Sequence, residues 1–396
     1  MHALRARRQN VRLCPRLQKG QVILITVLLV VTVVGISLFS LIRPRNLTLE
    51  DDAQTEKALA QAQQALIAYA SGQSATNRPG ELPCPDRNND GQDNDGACDT
   101  TATQIGRLPW YTLRIPDLRD GSGGRLWYTV SNNFKNDTSV TPLNSNTLGQ
   151  LTVTGTAPAN NVIAIVFAAG PVVAGQNRSA GNVNNVAHYL ESENANGDTV
   201  FTTAPPSGTF NDRLLAITSA MFFPHVEMRV AREARVFLND YFNYTDIDPV
   251  TKTKTVRRYF PFAHAYGGAG SCAASNQGRI TEFPEICGSG QLTWPATYPL
   301  WFFTNGWGNV LFYAVAPACT NPATPNCTGA GGFLTVNGVG GVRAVVIAPG
   351  TAYTGQTRPC ATFTDCLEPP NTTSFPAFTH TPGSTTANDR VVIIAP

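Results

Sequence analysis

The chain has 396 residues, with 29 basic and 27 acidic side chains and a formal net charge of +2. This length accommodates two domains of ordinary size, each with its own core. The nearly balanced charge gives no bulk attraction for a polyanion, so we expect no nucleic-acid partner. The 34 glycines, the 28 prolines and the short apolar runs are typical of a turn-rich, mostly β protein.

The N-terminus combines a basic leader with a long uncharged stretch. Residues 1–20 contain no acid, and residues 21–42 contain no charge. Twenty-two helical residues span about 33 Å, so the sequence predicts a transmembrane helix over 21–42, with the N-terminus in the cytoplasm and the rest outside it. A cleaved signal peptide is the alternative, but it would have a shorter apolar core and a small-x-small cleavage site.

Residues 43–72 are rich in helix-forming side chains and end at a glycine. Leu59, Ala62, Leu66 and Ala70 recur at helical spacing and share one face. The pattern predicts an amphipathic helix that packs on a globular domain.

A loop rich in acids and amides follows this helix, between Cys84 and Cys98. Its first acids stand at positions 1, 3 and 5 of a calcium-binding loop, and Ala97 takes the place of the bidentate Glu of a regular EF-hand. The spacing is closer to the Asp-rich loops of thrombospondin type 3 repeats and dockerins. We therefore predict one Ca²⁺ site, with ligands from Asp86, Asn88, Asp90, Gln92, Asp93 and Asp95. The alternative is a hydrated turn closed by a disulfide.

The rest of the chain contains an internal repeat. The stretch LTVTG from Leu151 returns as LTVNG from Leu334, and NDRLLAIT from Asn211 is answered by NDRVVIIA from Asn388. The longer stretch that begins VIAIVFAAGP returns as VRAVVIAPGT, in the same order and at nearly the same offset. These matches predict a tandem duplication, with units over 73–222 and 223–396.

Each unit is expected to contain one helix and several strands. In the second unit the helix is predicted from Pro224, which suits a first helical turn. The strands at 164–168 and 344–348 are apolar on both faces, which is typical of the middle of a covered sheet. The fold-class prediction is therefore α+β: a transmembrane helix that continues into an amphipathic helix, then two tandem units of a helix packed on an antiparallel sheet.

Eight of the nine cysteines fall into close neighbours, and Cys14 stands alone in the leader. Such spacing indicates local disulfides in an oxidising compartment. Zinc is the competing interpretation, but no CxxC pair or nearby His supplies tetrahedral ligands. The expected pairs are Cys84 with Cys98, Cys272 with Cys287, Cys319 with Cys327, and Cys360 with Cys366.

This layout resembles bacterial type IV pilin-like proteins and type II secretion pseudopilins. The features that carry the resemblance are a basic leader ending at Gly20, a long apolar helix, an amphipathic continuation and a β-rich head with disulfides. The resemblance implies that a prepilin peptidase cuts after Gly20 and methylates Gln21, and that the chain sits in the bacterial inner membrane with its head in the periplasm or outside the cell. The fifth residue after the cut, usually Glu in major pilins, is Ile25, which favours a minor or tip subunit.

The resemblance implies a non-catalytic component of a type IV pilus or a type II secretion pseudopilus, whose partners are other pilin-like subunits and inner-membrane assembly proteins. An anchored periplasmic or surface adhesin that works outside any filament is the alternative.

No arrangement of residues assigns an acid, a base and a nucleophile, so no enzymatic activity is expected. Arg178, Arg358, Asp212 and Asp389 recur in both units and are predicted to form structural arginine–carboxylate pairs. The aromatic stretch 294–307 is predicted to be core, with a partner-binding surface as the alternative.

Overall fold

The architecture comes from a computed structural model, and the residues it describes cover most of the chain. They are 19–72, 78–93, 98, 105–136, 142–266, 274–282, 294, 298–381, 383 and 386–395. Within the first helix, side chains are described for 27–33 and from 49 onward. The chain forms two compact units, Met1–Gln54 and Thr55–Pro396. The description below concerns the second unit, except where the first is named.

The first helix, α1 (Lys19–Gly72), has 54 residues and includes part of both units. Among the described residues, no helix is both long enough and apolar enough to cross a membrane. The fold-class prediction of a transmembrane helix over 21–42 is therefore corrected.

Seven strands lie in the described residues of the first half of the larger unit. Four of them form an antiparallel sheet in the order β1-β2-β5-β7, and the other three form a small sheet in the order β4-β3-β6. The strands are β1 (Ile105–Arg107), β2 (Trp127–Val130), β3 (Leu151–Gly155), β4 (Ala159–Val162), β5 (Ala164–Ala168), β6 (Val200–Thr203) and β7 (Arg213–Ile217).

The second half begins with a 25-residue helix, α2 (Ser219–Asn243). Its six-stranded sheet has the order β11-β10-β12-β13-β16-β18, and a small sheet has the order β15-β14-β17. The remaining elements are β8 (Thr245–Ile247), β9 (Lys254–Val256), β10 (Ala263–His264), β11 (Ala274–Ser275), β12 (Gln277–Arg279), α3 (Leu300–Thr304), β13 (Phe312–Val315), β14 (Leu334–Val336), β15 (Val339–Val342), β16 (Ala344–Ala348), α4 (Phe363–Cys366), β17 (Ala377–Phe378) and β18 (Arg390–Ala395).

The strands β1-β2-β5-β7 correspond to β12-β13-β16-β18, both in order and in register. Tyr128 of β2 pairs with Val166 of β5, and Tyr313 of β13 pairs with Val346 of β16. The predicted central strands 164–168 and 344–348 are β5 and β16, and each lies between two neighbours in its sheet. Their central position is therefore confirmed.

The prediction of a single antiparallel sheet in each half is wrong. The strands β3 and β14 lie outside the main sheets. β3 pairs in parallel with β6, and β14 pairs in parallel with β17. Alternate side chains of β5 explain why: Ile165 and Phe167 pack with Leu151 and Val153 of β3, while Val166 faces the opposite side. A strand that is apolar on both faces must be buried on both, and the helix packs against only one of these faces.

The face of each main sheet that the helix covers contributes to one core, and this core is continuous between the halves. Leu66 of α1, Val230 of α2, Val166 of β5 and Val346 of β16 are fully buried members of that core. Trp301, Phe302 and Trp307 belong to it as well, which confirms the core interpretation of these aromatic residues within 294–307.

The helix α2 begins five residues before the predicted start, so Pro224 lies inside it. The two residues before this proline, Phe222 and Phe223, are fully buried and pack against Phe134 of the first half. Burial of two aromatic rings outweighs the backbone hydrogen bond that a proline removes.

Asn305 is buried and joins the two halves through its side chain and its backbone carbonyl. Its Oδ1 accepts the backbone N–H of Leu143 at 2.9 Å, and its carbonyl oxygen accepts the Asn144 amide at 2.6 Å.

We expect Asn305→Ala to lower the free energy of unfolding by about 1–3 kcal/mol, because the buried Leu143 N–H loses its acceptor. Urea unfolding of the full chain measures this effect. The matched control is Asn309→Ala, a change at an exposed position nearby, which should shift the midpoint little. Equal losses in both variants would contradict the bridging role.

Candidate functional site

The predicted calcium loop is organised around the carboxylate of Asp86, which is 1% exposed. Its Oδ1 accepts the backbone N–H of Asn89 at 2.6 Å, and its Oδ2 accepts that of Gly91 at 2.7 Å. Burial raises the pKa of Asp86, and these two hydrogen bonds oppose the rise. Gly91 is in the left-handed region at φ 89°, and a Cβ there would lie 2.5 Å from the Trp110 ring. Only glycine fits this turn.

The next side chains of the loop continue the same pattern of turns. Asn88 Oδ1 accepts the N–H of Asp90 at 2.9 Å, and Asp90 Oδ1 accepts the N–H of Gln92 at 2.8 Å. Asp93 instead turns to Thr112, whose hydroxyl donates to Asp93 Oδ1 at 2.9 Å. Asp95 lies outside the described residues.

In the described part of the chain, no group of three or more His, Cys, Asp or Glu side chains is positioned to hold a metal. Calcium requires six to eight oxygens, and Asp86, Asn88 and Asp90 supply only part of that set. Each bonded oxygen still has a second lone pair, so the turns do not block coordination. The calcium site remains a prediction, and it depends on oxygens beyond these three residues.

Three of the expected cysteine pairs are at bonding distance: Cys84–Cys98, Cys319–Cys327 and Cys360–Cys366. The first closes the acidic loop. The Nζ of buried Lys135 donates to the carbonyl oxygen of Cys98 at 2.7 Å, which fixes the end of the loop. Cys272 and Cys287 lie outside the described residues. The predicted processing residues, Gly20 and Gln21, fall in the first turn of α1.

A second arrangement of acids appears in the first half, around Asp212 and Glu191. Asp212 Oδ2 accepts the backbone N–H of Glu191 at 2.8 Å and the side-chain amide of Asn194 at 3.0 Å. In return, Glu191 Oε2 accepts the backbone N–H groups of Asn211 and Asp212, both at 3.0 Å. The two carboxylates thus tie the 190–194 segment to the start of β7.

The second half repeats this arrangement at matching positions. Asp389 Oδ2 accepts the backbone N–H of Glu368 at 3.2 Å and the Asn371 amide at 2.8 Å. Glu368 Oε2 accepts the N–H of Asn388 at 3.0 Å, and Glu368 Oε1 accepts the amide of Gln356 at 2.8 Å. We call each arrangement a carboxylate clasp.

The predicted arginine–carboxylate pairs are wrong. Arg178 donates to the carbonyl oxygen of Gly170 at 2.6 Å, and Arg358 donates to that of Gly350 at 3.2 Å. The aspartates take backbone and amide donors instead. The repeated stretch L-E-x-x-N, at 190–194 and 367–371, contains the partners that the sequence interpretation missed.

Burial is the main cause of a raised pKa in both clasps. It raises the pKa of Asp212 to about 8 and that of Asp389 to about 7, and the neighbouring Glu carboxylate adds to each rise. Asp212 Oδ1 and Asp389 Oδ1 are buried without a hydrogen-bond partner. A proton on these oxygens therefore relieves both the burial and the repulsion. Because backbone and side-chain amide donors occupy the remaining oxygens, the clasps are suited to fixing loops.

Comparison with known proteins gives no match: no protein-family model, no curated protein and no solved structure is significantly similar to this chain.

We expect the free energy of unfolding to fall as the pH rises from about 4 to 8. The folded state holds protons on Asp212 and Asp389 that the unfolded chain, with pKa values near 3.8, releases. The stabilisation is therefore complete below about pH 4 and is lost as the pH passes the folded-state values. The slope is at most about 1.4 kcal/mol per pH unit for each group.

Denaturant unfolding across this pH range measures the slope. An amide mimics the protonated acid, so Asp212→Asn with Asp389→Asn should flatten the profile, while exposed Asp240→Asn should leave it unchanged. A profile that keeps its slope in the double variant would contradict the role of the clasps.

For the calcium loop, we expect calcium at a hundred times its Kd to raise the free energy of unfolding by about 2.7 kcal/mol. Asp90→Asn should reduce this gain, because it removes a carboxylate ligand. Isothermal titration and thermal melting of the full chain, with magnesium as the control ion, measure the effect. If calcium gave no heat of binding and no change in melting temperature, the calcium prediction would be wrong.

Proposed function

We propose that this chain is a non-catalytic minor or tip subunit of a type IV pilus or a type II secretion pseudopilus. The leader, the helix and the disulfide-bearing head of the sequence support this proposal, and so does a surface on α1. In this function the chain catalyses no reaction. Its helix associates with other pilin-like subunits, and its head is displayed at the end of the assembly.

The observation that carries the proposal is the uncovered apolar surface of α1 within the first unit. Val27, Leu28, Leu29, Val30, Val31 and Val33 are between 54% and 65% exposed. Apolar surface on every side of a helix gains stability when it is buried, at roughly 25 cal/mol per Å². Packing among the helices of neighbouring subunits supplies that cover in a filament.

The head supports a location outside the cytoplasm. Three local disulfides are typical of proteins that fold in an oxidising compartment. The proposal therefore places the head in the periplasm or beyond, and inner-membrane assembly proteins are its further partners.

The test is Leu28→Asp, with Leu28→Met as the control that keeps an apolar side chain. We expect the charged variant to lose co-purifying pilin-like subunits, because it places a carboxylate in the helix contact. The melting temperature of the head should not change, since residue 28 lies outside the unit Thr55–Pro396. Mass spectrometry of the mature protein should find it beginning at methylated Gln21.

An intact Met1 together with no co-purifying subunit would overturn the proposal. That result would favour the alternative, an exported adhesin that works outside any filament.

A further inference from the structure

A groove of about 760 Å³ lies in the second half, between α2 and β18. Residues from Pro224 to Arg235 form its helical wall, which is about 16 Å long at 1.5 Å per residue. Residues Arg390 to Ile393 form the other wall. The strand β18 is the last of its sheet, so no described strand pairs with its outer edge.

The lining of this groove is strongly basic. Arg229, Arg232 and Arg235 of α2 lie across from Arg390 of β18, and no Asp or Glu among the described residues lines the groove. Two carboxylates interact with these arginines: Glu233 lies 3.8 Å from Arg229, and the charge of buried Glu227 acts on Arg390. The arginines of the lining therefore outnumber the carboxylates that interact with them.

These carboxylates are only partly engaged, since Glu227 Oε1 is buried without a hydrogen-bond partner. Glu227 Oε2 accepts the N–H of Gly350 at 2.8 Å, and its charge is shared between Arg358 and Arg390. The Nη1 atoms of Arg229 and Arg390 are buried and have no hydrogen-bond partner. Buried guanidinium donors without an acceptor are costly, and an anion beside the other nitrogens of these groups would offset part of that cost.

The first half indicates that a carboxylate is a suitable anion for the arginine at this position. Arg213 occupies the position that Arg390 occupies in the repeat, and each begins the last strand of its sheet. Arg213 Nη1 lies 3.5 Å from the carboxylate of Glu56 on α1. In the second half, α2 lines the groove beside Arg390 with Met228 and three arginines. In the second half Glu227 of α2 also acts on Arg390, but its charge is shared with Arg358, and Arg390 forms no ion pair with a described residue.

The shape of the groove favours a chain over a single ion. About five residues of extended polypeptide span 16 Å. Met228, Val391 and Ile393 add apolar surface beside the arginines, which suits a segment that alternates acidic and apolar side chains. From these features we infer that the groove binds an acidic, extended segment of a partner polypeptide, whose carboxylates pair with Arg229, Arg232, Arg235 and Arg390. This inference is independent of the assembly proposed above.

A fluorescein-labelled decapeptide of alternating Glu and Val is the probe, and one of alternating Lys and Val is its control. Fluorescence anisotropy with the full chain should detect binding of the acidic peptide only. The test variant is Arg232→Glu with Arg235→Glu, since both side chains are exposed and neither forms a hydrogen bond or ion pair with a described residue. We expect its Kd to rise by about tenfold or more.

The control variant is Lys252→Glu with Lys254→Glu, which makes the same change in net charge on the exposed β8–β9 hairpin. Its affinity should change by less than about twofold. Equal losses in the two variants, or no loss in the groove variant, would overturn the inference. Displacement of the peptide by inorganic phosphate at an equal concentration of charge would identify a general anion site instead. Groove-dependent binding of phosphatidylglycerol vesicles without peptide binding would identify a lipid surface.

Discussion

The central strands β5 and β16 are buried on both faces, and the rest of the head follows from this constraint. One face of each is covered by a helix, and the sides covered by α1 and α2 merge into one core. In the first half, the small sheet of β3, β4 and β6 covers the other face. Burial of this kind is the largest favourable contribution to folding, so both halves depend on the same cluster of side chains.

The two halves differ in one set of hydrogen bonds, and this difference places a contact between them. In the first half, Asp120 Oδ2 accepts the N–H of Gly170 at 3.2 Å. In the second, Glu227 of α2 takes over the equivalent N–H of Gly350. Asn305, at the position that matches Asp120, is then free to accept the Leu143 N–H of the first half. This difference between the copies leaves Asn305 to make a contact between the halves.

Local patterns in the sequence were sufficient to locate some elements but not others. The apolar run at 164–168 specifies a central strand, and the spacing of neighbouring cysteines indicates three bridges that the structure contains. The pairing of β3 with β6 was not visible, because it joins residues about 48 apart through loops with no periodic pattern. The clasps were missed for a similar reason: Glu191 and Asp212 meet only after β6 and its flanking loops fold back.

We infer that both halves of the head form one cooperative structure around a shared core. Native-state hydrogen exchange of the full chain in increasing denaturant, read by mass spectrometry, measures this cooperativity. Peptides covering β5 and β16 should open with the same free energy and the same dependence on denaturant. Exchange of one central strand at a lower free energy, while the other stays protected, would contradict it.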